Sequence, residues 1–274
     1  LNTFLDIWFV AGFGWGVGGA AVATVISQGV AGLLCLWRLW KTNGVVQMHA
    51  SALKPDTALV KELLRLGLPA GLTQAIFSMS MVFVQSLANS MGYLVVTTTT
   101  AVMRVDGFAM MPNFTFGMAI STFVGQNVGA NQMDRVDQGT KDVLKLSLST
   151  SAVLVTLLLL FGKNLIAMFT TTASVIEMGA KMLRILSLGY VAMACSQIFG
   201  GIMRGAGDTM PSMWISLFTT IIVRTPLAYI LAGLTKSAAY PNGRPEAIFY
   251  SHLTAWVLGG VINYLWYRRG GWRT

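Results

Sequence analysis

The chain is a succession of long apolar runs separated by polar connectors. After an apolar opening over residues 1–12, seven runs are predicted at residues 17–37, 65–89, 93–128, 144–161, 175–203, 210–234 and 247–267. A helix needs about 20 apolar residues to cross the hydrocarbon core of a bilayer. Lipid offers the backbone no hydrogen-bond partner, so each run is predicted to be helical. The pattern predicts an all-α polytopic membrane protein with about seven transmembrane helices plus a partial one.

The third run contains more than lipid-facing residues. No charged residue lies between Asp106 and Asp134. Pro112 within this stretch removes a backbone donor and is expected to bend the helix. Asn113 should face other helices or a cavity, because lipid does not solvate its amide. The run is therefore predicted to form one wall of a transport cavity.

The charged residues inside predicted spans include Arg104, Asp106 and Arg224. Arg104 and Asp106 are two positions apart and face different sides of one helix, so they are not expected to pair. Buried charges are costly, which makes each either a functional group or half of a structural ion pair. Counted from their span ends, Asp106 and Arg224 lie at similar depths. They are predicted to approach within salt-bridge or water-bridged range.

A smaller polar signal lies on the second run. Gln74 follows the span start by roughly two turns, with Ser78 one further turn along. Two interpretations are open for such residues, because they can line a cavity or form hydrogen bonds between helices.

Composition supports a membrane protein. The chain is 54% hydrophobic and 11% charged, whereas a soluble domain carries about 25% charged residues. The net charge of +9 does not indicate a nucleic-acid partner, because the basic residues sit in connectors on one side. Cys35 and Cys195 are isolated, and so are the two histidines, so no cofactor or metal cluster is predicted. No nucleophile–base constellation indicates an enzyme.

The distribution of Lys and Arg predicts the orientation in the membrane. The connectors on one side of the membrane hold twelve basic residues: Arg38, Lys41, Lys54, Lys61, Arg65, Arg135, Lys141, Lys145, Arg204, Arg268, Arg269 and Arg273. The connectors on the other side hold only Lys163, Lys236 and Arg244. The positive-inside rule places the side with twelve basic residues, and with it the C-terminus, in the cytoplasm of a plasma (inner) membrane.

A candidate ion site lies near the N-terminus. Asn2 and Asp6 are four residues apart and project from one helical face, with Thr24 on the next span. A carboxylate with an amide and a hydroxyl nearby can bind Na⁺ through oxygen or accept a proton. The alternative is an interfacial Asp at the end of a span.

Several motifs together resemble the multidrug and toxic compound extrusion (MATE) transporters. They are Phe-Gly-Met-Ala-Ile-Ser-Thr-Phe-Val-Gly-Gln-Asn-Val-Gly-Ala at 116–130, Gly-Leu-Pro-Ala-Gly at 67–71, Arg-Gly-Ala-Gly-Asp at 204–208, and Leu-Asn-x-x-Leu-Asp at 1–6 followed by Gly-Ala-Ala-x-Ala-Thr at 19–24. The resemblance implies a twelve-helix antiporter of two six-helix lobes. It assigns residues 1–38 to the end of the N-terminal lobe, 39–64 to a cytoplasmic connector and 65–274 to the C-terminal six-helix lobe.

The resemblance also implies the function. Positions matching Asn2, Asp6 and Thr24 help to form a cation site in the family, together with an Asp on the first helix that this chain does not contain. The implied activity is export of amphipathic or cationic small molecules in exchange for Na⁺ or H⁺ by alternating access. The chain is then expected to be a fragment whose partners are the substrate, the bilayer and the missing N-terminal lobe. The alternative is a seven-span receptor that binds a ligand and moves nothing.

Overall fold

A computed structural model describes residues 1–41 and 56–273, which are almost entirely helical and contain no β-strand within those ranges. The α-helices are α1 (Asn2–Asp6), α2 (Gly16–Lys41), α3 (Thr57–Ser90), α4 (Tyr93–Gly129), α5 (Met133–Ala167), α6 (Ala173–Ser187), α7 (Tyr190–Gly205), α8 (Thr209–Ser216), α9 (Thr225–Leu234) and α10 (Glu246–Arg269). Two π-helical segments, Ile7–Gly12 and Leu217–Arg224, and a 3₁₀ turn at Gly271–Arg273 complete them. The all-α prediction is confirmed.

The chain forms two compact units, Leu1–Lys61 and Glu62–Thr274. In the first unit, α1 and the π-helical segment Ile7–Gly12 pack against α2. Gly19 permits this packing, because a Cβ there would lie 2.9 Å from Cβ of Trp15. The predicted division at residues 38 and 64 stays a prediction, and much of the 39–64 connector lies outside the described residues.

The second unit is built around α4, α7 and α10. Helix α4 packs against α5, α6 and α7, while α10 packs against α7 and α9. Helices α4 and α7 approach closely where small residues meet: a Cβ on Gly201 would lie 2.5 Å from the carbonyl oxygen of Gly117. Gly201 and Gly205 of α7 therefore serve the close packing of α7 on α4. Gly125 also faces the backbone of α7, whereas Gly129 faces open space.

The outer surface of the second unit is apolar. Phe108, Leu160 and Leu188 are each more than two-thirds exposed. Within the described residues, four helical stretches are long and apolar enough to cross a membrane: Gly16–Lys41, Thr57–Ser90, Met133–Ala167 and Thr209–Leu234. The bent pair formed by α6 and α7 makes a fifth. Helices α4 and α10 also have the length of a span, and polar residues interrupt their apolar sequence.

The structure corrects several predicted span boundaries. The predicted fourth span, 144–161, is the middle of the much longer α5, whose polar first turns are stabilised by contacts such as Gln138 to Asp142. The predicted fifth span is two helices that meet at a 47° bend. Gly189 lies at this bend, where a Cβ would be 2.6 Å from the Trp256 ring. Hydropathy does not report such bends, because it is averaged along the run and carries no information on the direction of the helix axis.

Candidate functional site

The first unit brings two of the predicted ion-site residues into contact. Nδ2 of Asn2 donates to Oγ1 of Thr24 at 3.3 Å, and that hydroxyl donates to the carbonyl oxygen of Ala20 at 2.9 Å. Asp6 lies one turn after Asn2, and its Oδ1 is buried without a hydrogen-bond partner. The π-helical segment begins directly after Asp6. Such segments often occur at functional sites, because they change where the backbone carbonyls point.

These residues fit a hard monovalent cation or a proton. The side chains of Asn2, Asp6 and Thr24 all present oxygen atoms, the ligand type that hard cations prefer. The unpaired Asp6 oxygen is an acceptor that a cation or a proton would satisfy. Within residues 1–41 and 56–273, no three His, Cys, Asp or Glu side chains come together as a transition-metal site.

A second candidate site is a cavity inside the second unit, here called the polar cavity. It has a volume of about 80 Å³, enough for several water-sized groups. Its walls come from α3, α7, α8, the π-helical segment Leu217–Arg224 and α10. The polar residues among them are Thr73, Ser196, Gln197, Arg204, Ser212, Ser216, Thr219, Thr220, Arg224 and Asn263. Two of these are arginines, and none of the described lining residues is acidic.

Arg224 is the most deeply buried charge in the polar cavity. Its side chain ends the π-helical segment and is 5% exposed. The Nε atom is buried with no hydrogen-bond partner, and Nη2 makes only a 3.8 Å contact with Sδ of Met81. Thioether sulfur is a weak acceptor. The guanidinium is therefore only partly satisfied by the described residues around it.

Asp106 has a different partner from the one the sequence predicted. Its Oδ1 accepts a 2.5 Å hydrogen bond from Oη of Tyr190, which is fully buried at the start of α7. Asp106 and Arg224 interact electrostatically. They do not form an ion pair within 4.0 Å, since the ion pairs among the described residues lie elsewhere. Of the two predicted arrangements, a direct salt bridge is not formed, and the approach within water-bridged range stays a prediction.

Two predicted site residues do not line the polar cavity. Arg104 is exposed on this unit, and its guanidinium lies 5.8 Å from the centre of the Phe169 ring. Its role in a transport cavity stays a prediction. A long side chain at this position reaches the surface and stacks there. Gln74 is also exposed, and its neighbours Thr73 and Phe77 line the polar cavity instead. The rotation of α3 about its axis decides which of these positions faces inward.

Asn113 faces protein rather than lipid. It is 1% exposed, and its Oδ1 accepts a 3.1 Å hydrogen bond from Oγ of Ser151 on α5. Its Nδ2 is buried without a partner. The residue thus links α4 to α5 and does not line the polar cavity. The predicted role of Asn113 in a transport cavity, which is distinct from the polar cavity, stays a prediction.

The sequence interpretation missed most polar residues of the polar cavity, among them Arg204 and Asn263, and it missed Tyr190, which binds Asp106. Arg204 had been counted as a connector residue, although it lines the cavity from the last turn of α7. A signal for it exists, since Ser196, Gly200 and Arg204 recur every four residues and share one helical face. Tyr190 carries no such signal, because a tyrosine in an apolar run is usually a packing residue.

The helices, the apolar exterior and the buried polar cavity define a multi-pass α-helical membrane protein. The MatE family model matches residues 69–230, more than half of the chain, and the chain belongs to this family. The chain is 30% identical over 259 residues to the probable multidrug resistance protein YoeA of Bacillus subtilis, covering 93% of this chain and 55% of that protein. It is 28% identical over 235 residues to the probable multidrug resistance protein NorM of Thermotoga maritima, covering 84% of this chain and 50% of that one.

The fold is shared with solved structures. A crystal structure of MATE in complex with MaL6 superposes with a TM-score of 0.89 at 23% identity, covering 98% of this chain and 60% of that one. An outward-facing multidrug resistance MATE transporter superposes with a TM-score of 0.88, also at 23% identity, covering 98% of this chain and 59% of that one. The predicted family is confirmed. The chain spans between half and three-fifths of the length of these relatives.

Proposed function

We propose that this chain is part of a secondary active antiporter that exports amphipathic or cationic small molecules in exchange for Na⁺ or H⁺. The family and its relatives, named as multidrug resistance proteins, are transporters and not enzymes. In such proteins two lobes rock about a central cavity, so that the substrate site opens to each side of the membrane in turn. The N-terminal lobe of the same protein would form the other wall.

One observation supports the proposed coupling of transport to an ion gradient. The Asp6 carboxylate has a buried, unpaired oxygen, one turn from the Asn2 amide that contacts Thr24. A carboxylate in this state gains a partner when a cation or a proton binds. Binding there would favour the conformation in which the site is formed, and this differential affinity is what links an ion gradient to a conformational change.

The proposed location is the plasma (inner) membrane with a cytoplasmic C-terminus. The support is the uneven distribution of Lys and Arg: the connectors on one side hold twelve basic residues, and those on the other side hold three. The lipid bilayer contacts the exposed apolar side chains of the second unit. The partners of the proposal are thus a small-molecule substrate, lipid and the other lobe.

An efflux assay tests the proposal. Cells that express the gene encoding this chain are loaded with a fluorescent cationic dye, and retention is followed with either the Na⁺ or the proton gradient collapsed. We expect efflux above the vector control that stops when one of the two gradients is removed. Dye that binds the purified protein, with no gradient-driven efflux from cells, would instead support the receptor alternative.

A further inference from the structure

The polar cavity of the second unit has a charge balance that does not suit a cation. Arg204 and Arg224 both line it, and no acidic residue does so among the described lining residues. The cavity lies entirely within one compact unit. Its polarity can therefore be assessed without the other lobe.

Arg224 supplies a buried cation with unused hydrogen-bonding capacity. It is 5% exposed, Nε has no partner, and the Met81 sulfur is its one described hydrogen-bond contact. Asp106 interacts electrostatically with Arg224 but lies outside ion-pair distance. Its carboxylate already accepts a hydrogen bond from the Tyr190 hydroxyl. A guanidinium presents a planar fork of donors that matches the two oxygens of a carboxylate.

Arg204 packs closely over Gly200 at the wall of the cavity. A Cβ built on Gly200 would be 3.2 Å from Nη1 of Arg204 and 3.6 Å from both Oδ1 of Asn263 and Oγ of Ser212. The Asn263 oxygen is buried without a partner, while its Nδ2 donates to Oγ of Ser196 and to the Gly259 carbonyl. The absence of a side chain at Gly200 thus lets the Arg204 guanidinium approach an unpaired acceptor at the cavity wall.

Among the described residues, Asp106 is the one carboxylate that acts electrostatically on either arginine. Asp137, Glu177 and Glu246 pair with Arg273, Lys163 and Lys181, respectively. Asp208 lines a separate groove that opens beside Trp266. Asp106 balances one of the two guanidinium charges, and His252 also lies within electrostatic range of Arg224 but supplies no negative charge. One positive charge stays uncompensated, which is costly in a membrane interior.

We infer that the polar cavity binds a small organic monoanion through its carboxylate. The Arg224 guanidinium, whose Nε atom has no described partner, holds the carboxylate, and Arg204 adds a second positive charge to the same cavity. The Asn263 oxygen accepts a hydrogen bond from a hydroxyl or amide N–H elsewhere on the ligand. The site belongs to this lobe alone, so the inference stands independently of whether the protein exports cations.

Isothermal titration calorimetry with two matched probes tests the inference. The purified chain, in lipid nanodiscs, is titrated with benzoate and, separately, with benzamide, which has nearly the same shape and no charge. We expect benzoate to bind at least tenfold more tightly than benzamide. Equal binding of the two probes, or no binding of either, overturns the inference. Efflux of cationic dye is a separate measurement, so failure here leaves the proposed transport untouched.

Substitutions then locate the binding. Gly200→Ala adds a Cβ 3.2 Å from Nη1 of Arg204, which displaces the guanidinium while every charge is kept, and an interior Ala favours the helix. It is expected to weaken benzoate binding at least tenfold. Gly71→Ala on α3 is the matched control, because nothing lies within 4 Å of its added Cβ. Equal benzoate affinity in the two variants overturns the assignment to this cavity.

A charge series gives a second, independent measurement. Arg224→Lys keeps the positive charge but loses the planar fork, whereas Arg224→Gln loses both. Benzoate affinity is expected to fall in that order, with benzamide affinity unchanged. Circular dichroism and size-exclusion chromatography report whether each variant folds. Where Arg224→Gln does not fold, Gly200→Ala and Arg224→Lys decide the outcome, and unchanged benzoate binding in both contradicts the inference.

Discussion

The hydroxyl of Tyr190 on α7 donates a 2.5 Å hydrogen bond to the carboxylate of Asp106 on α4. This bond ties the start of α7, directly after the 47° bend, to the middle of the helix that carries the family's longest motif. Tyr190 is fully buried and also packs against Trp256 of α10, with ring centres 5.6 Å apart. One side chain therefore connects three of the central helices.

Tyr190→Phe is expected to destabilise the second unit by about 2 kcal/mol, because hydrogen bonds to charged groups contribute roughly that amount. Because the phenyl ring keeps its packing, the decrease in the free energy of unfolding measures the contribution of the hydroxyl group. Thermal unfolding of the purified chain in detergent measures it. Tyr229→Phe is the control: its exposed hydroxyl donates to the Phe83 carbonyl at 3.2 Å and should cost less than about 1 kcal/mol. Equal losses in the two variants would show that the Asp106 contact adds nothing.

Asp6→Asn is expected to abolish ion-coupled dye efflux without reducing expression. The amide keeps the shape of the side chain but removes the negative charge that would bind Na⁺ or a proton. The measurement is the efflux rate, normalised to protein detected in membranes. Asp142→Asn, at an exposed position where the carboxylate contacts only Gln138 among the described residues, is the matched control and should transport normally. Normal efflux in Asp6→Asn removes Asp6 from the coupling site.

Gly201→Ala is expected to destabilise the packing of α4 on α7 by about 1–3 kcal/mol, the usual effect of overpacking a close contact. The added Cβ would lie 2.5 Å from the Gly117 carbonyl oxygen and 2.8 Å from Cγ2 of Ile120. Gly129→Ala on α4 should be neutral or slightly stabilising, because its Cβ meets nothing within 4 Å. Thermal unfolding distinguishes them, and similar transition temperatures would refute the close approach.

The proposed orientation predicts which connectors are reached from outside the cell. In a variant with Cys35 and Cys195 replaced by Ser, a cysteine at Ala238, between α9 and α10, should react with a membrane-impermeant maleimide in intact cells. A cysteine at Gln132, between α4 and α5, should react only after permeabilisation. Both positions are exposed. The reverse labelling pattern would place the C-terminus outside.

The helices themselves could be predicted from the sequence. Long apolar runs need helical structure in lipid, because only a helix satisfies its own backbone groups locally. The same reasoning predicted that Asn113 would face protein, which its contact with Ser151 bears out. The bend at Gly189 and the π-helical segments were not predictable, since an apolar run of this length fits a straight helix as well as an interrupted one.

The sequence by itself determined the helical class, the family and the candidate ion-site residues. Only the tertiary structure decided which buried charges meet. Asp106 and Arg224 were matched by depth, yet Tyr190 is the hydrogen-bond partner of Asp106, and Arg224 keeps an unpaired Nε atom. The physical reason is that sequence spacing fixes the faces of residues only within one helix. Rotation and depth between helices depend on contacts such as Gly117 with Gly201, whose partners are far apart in the chain.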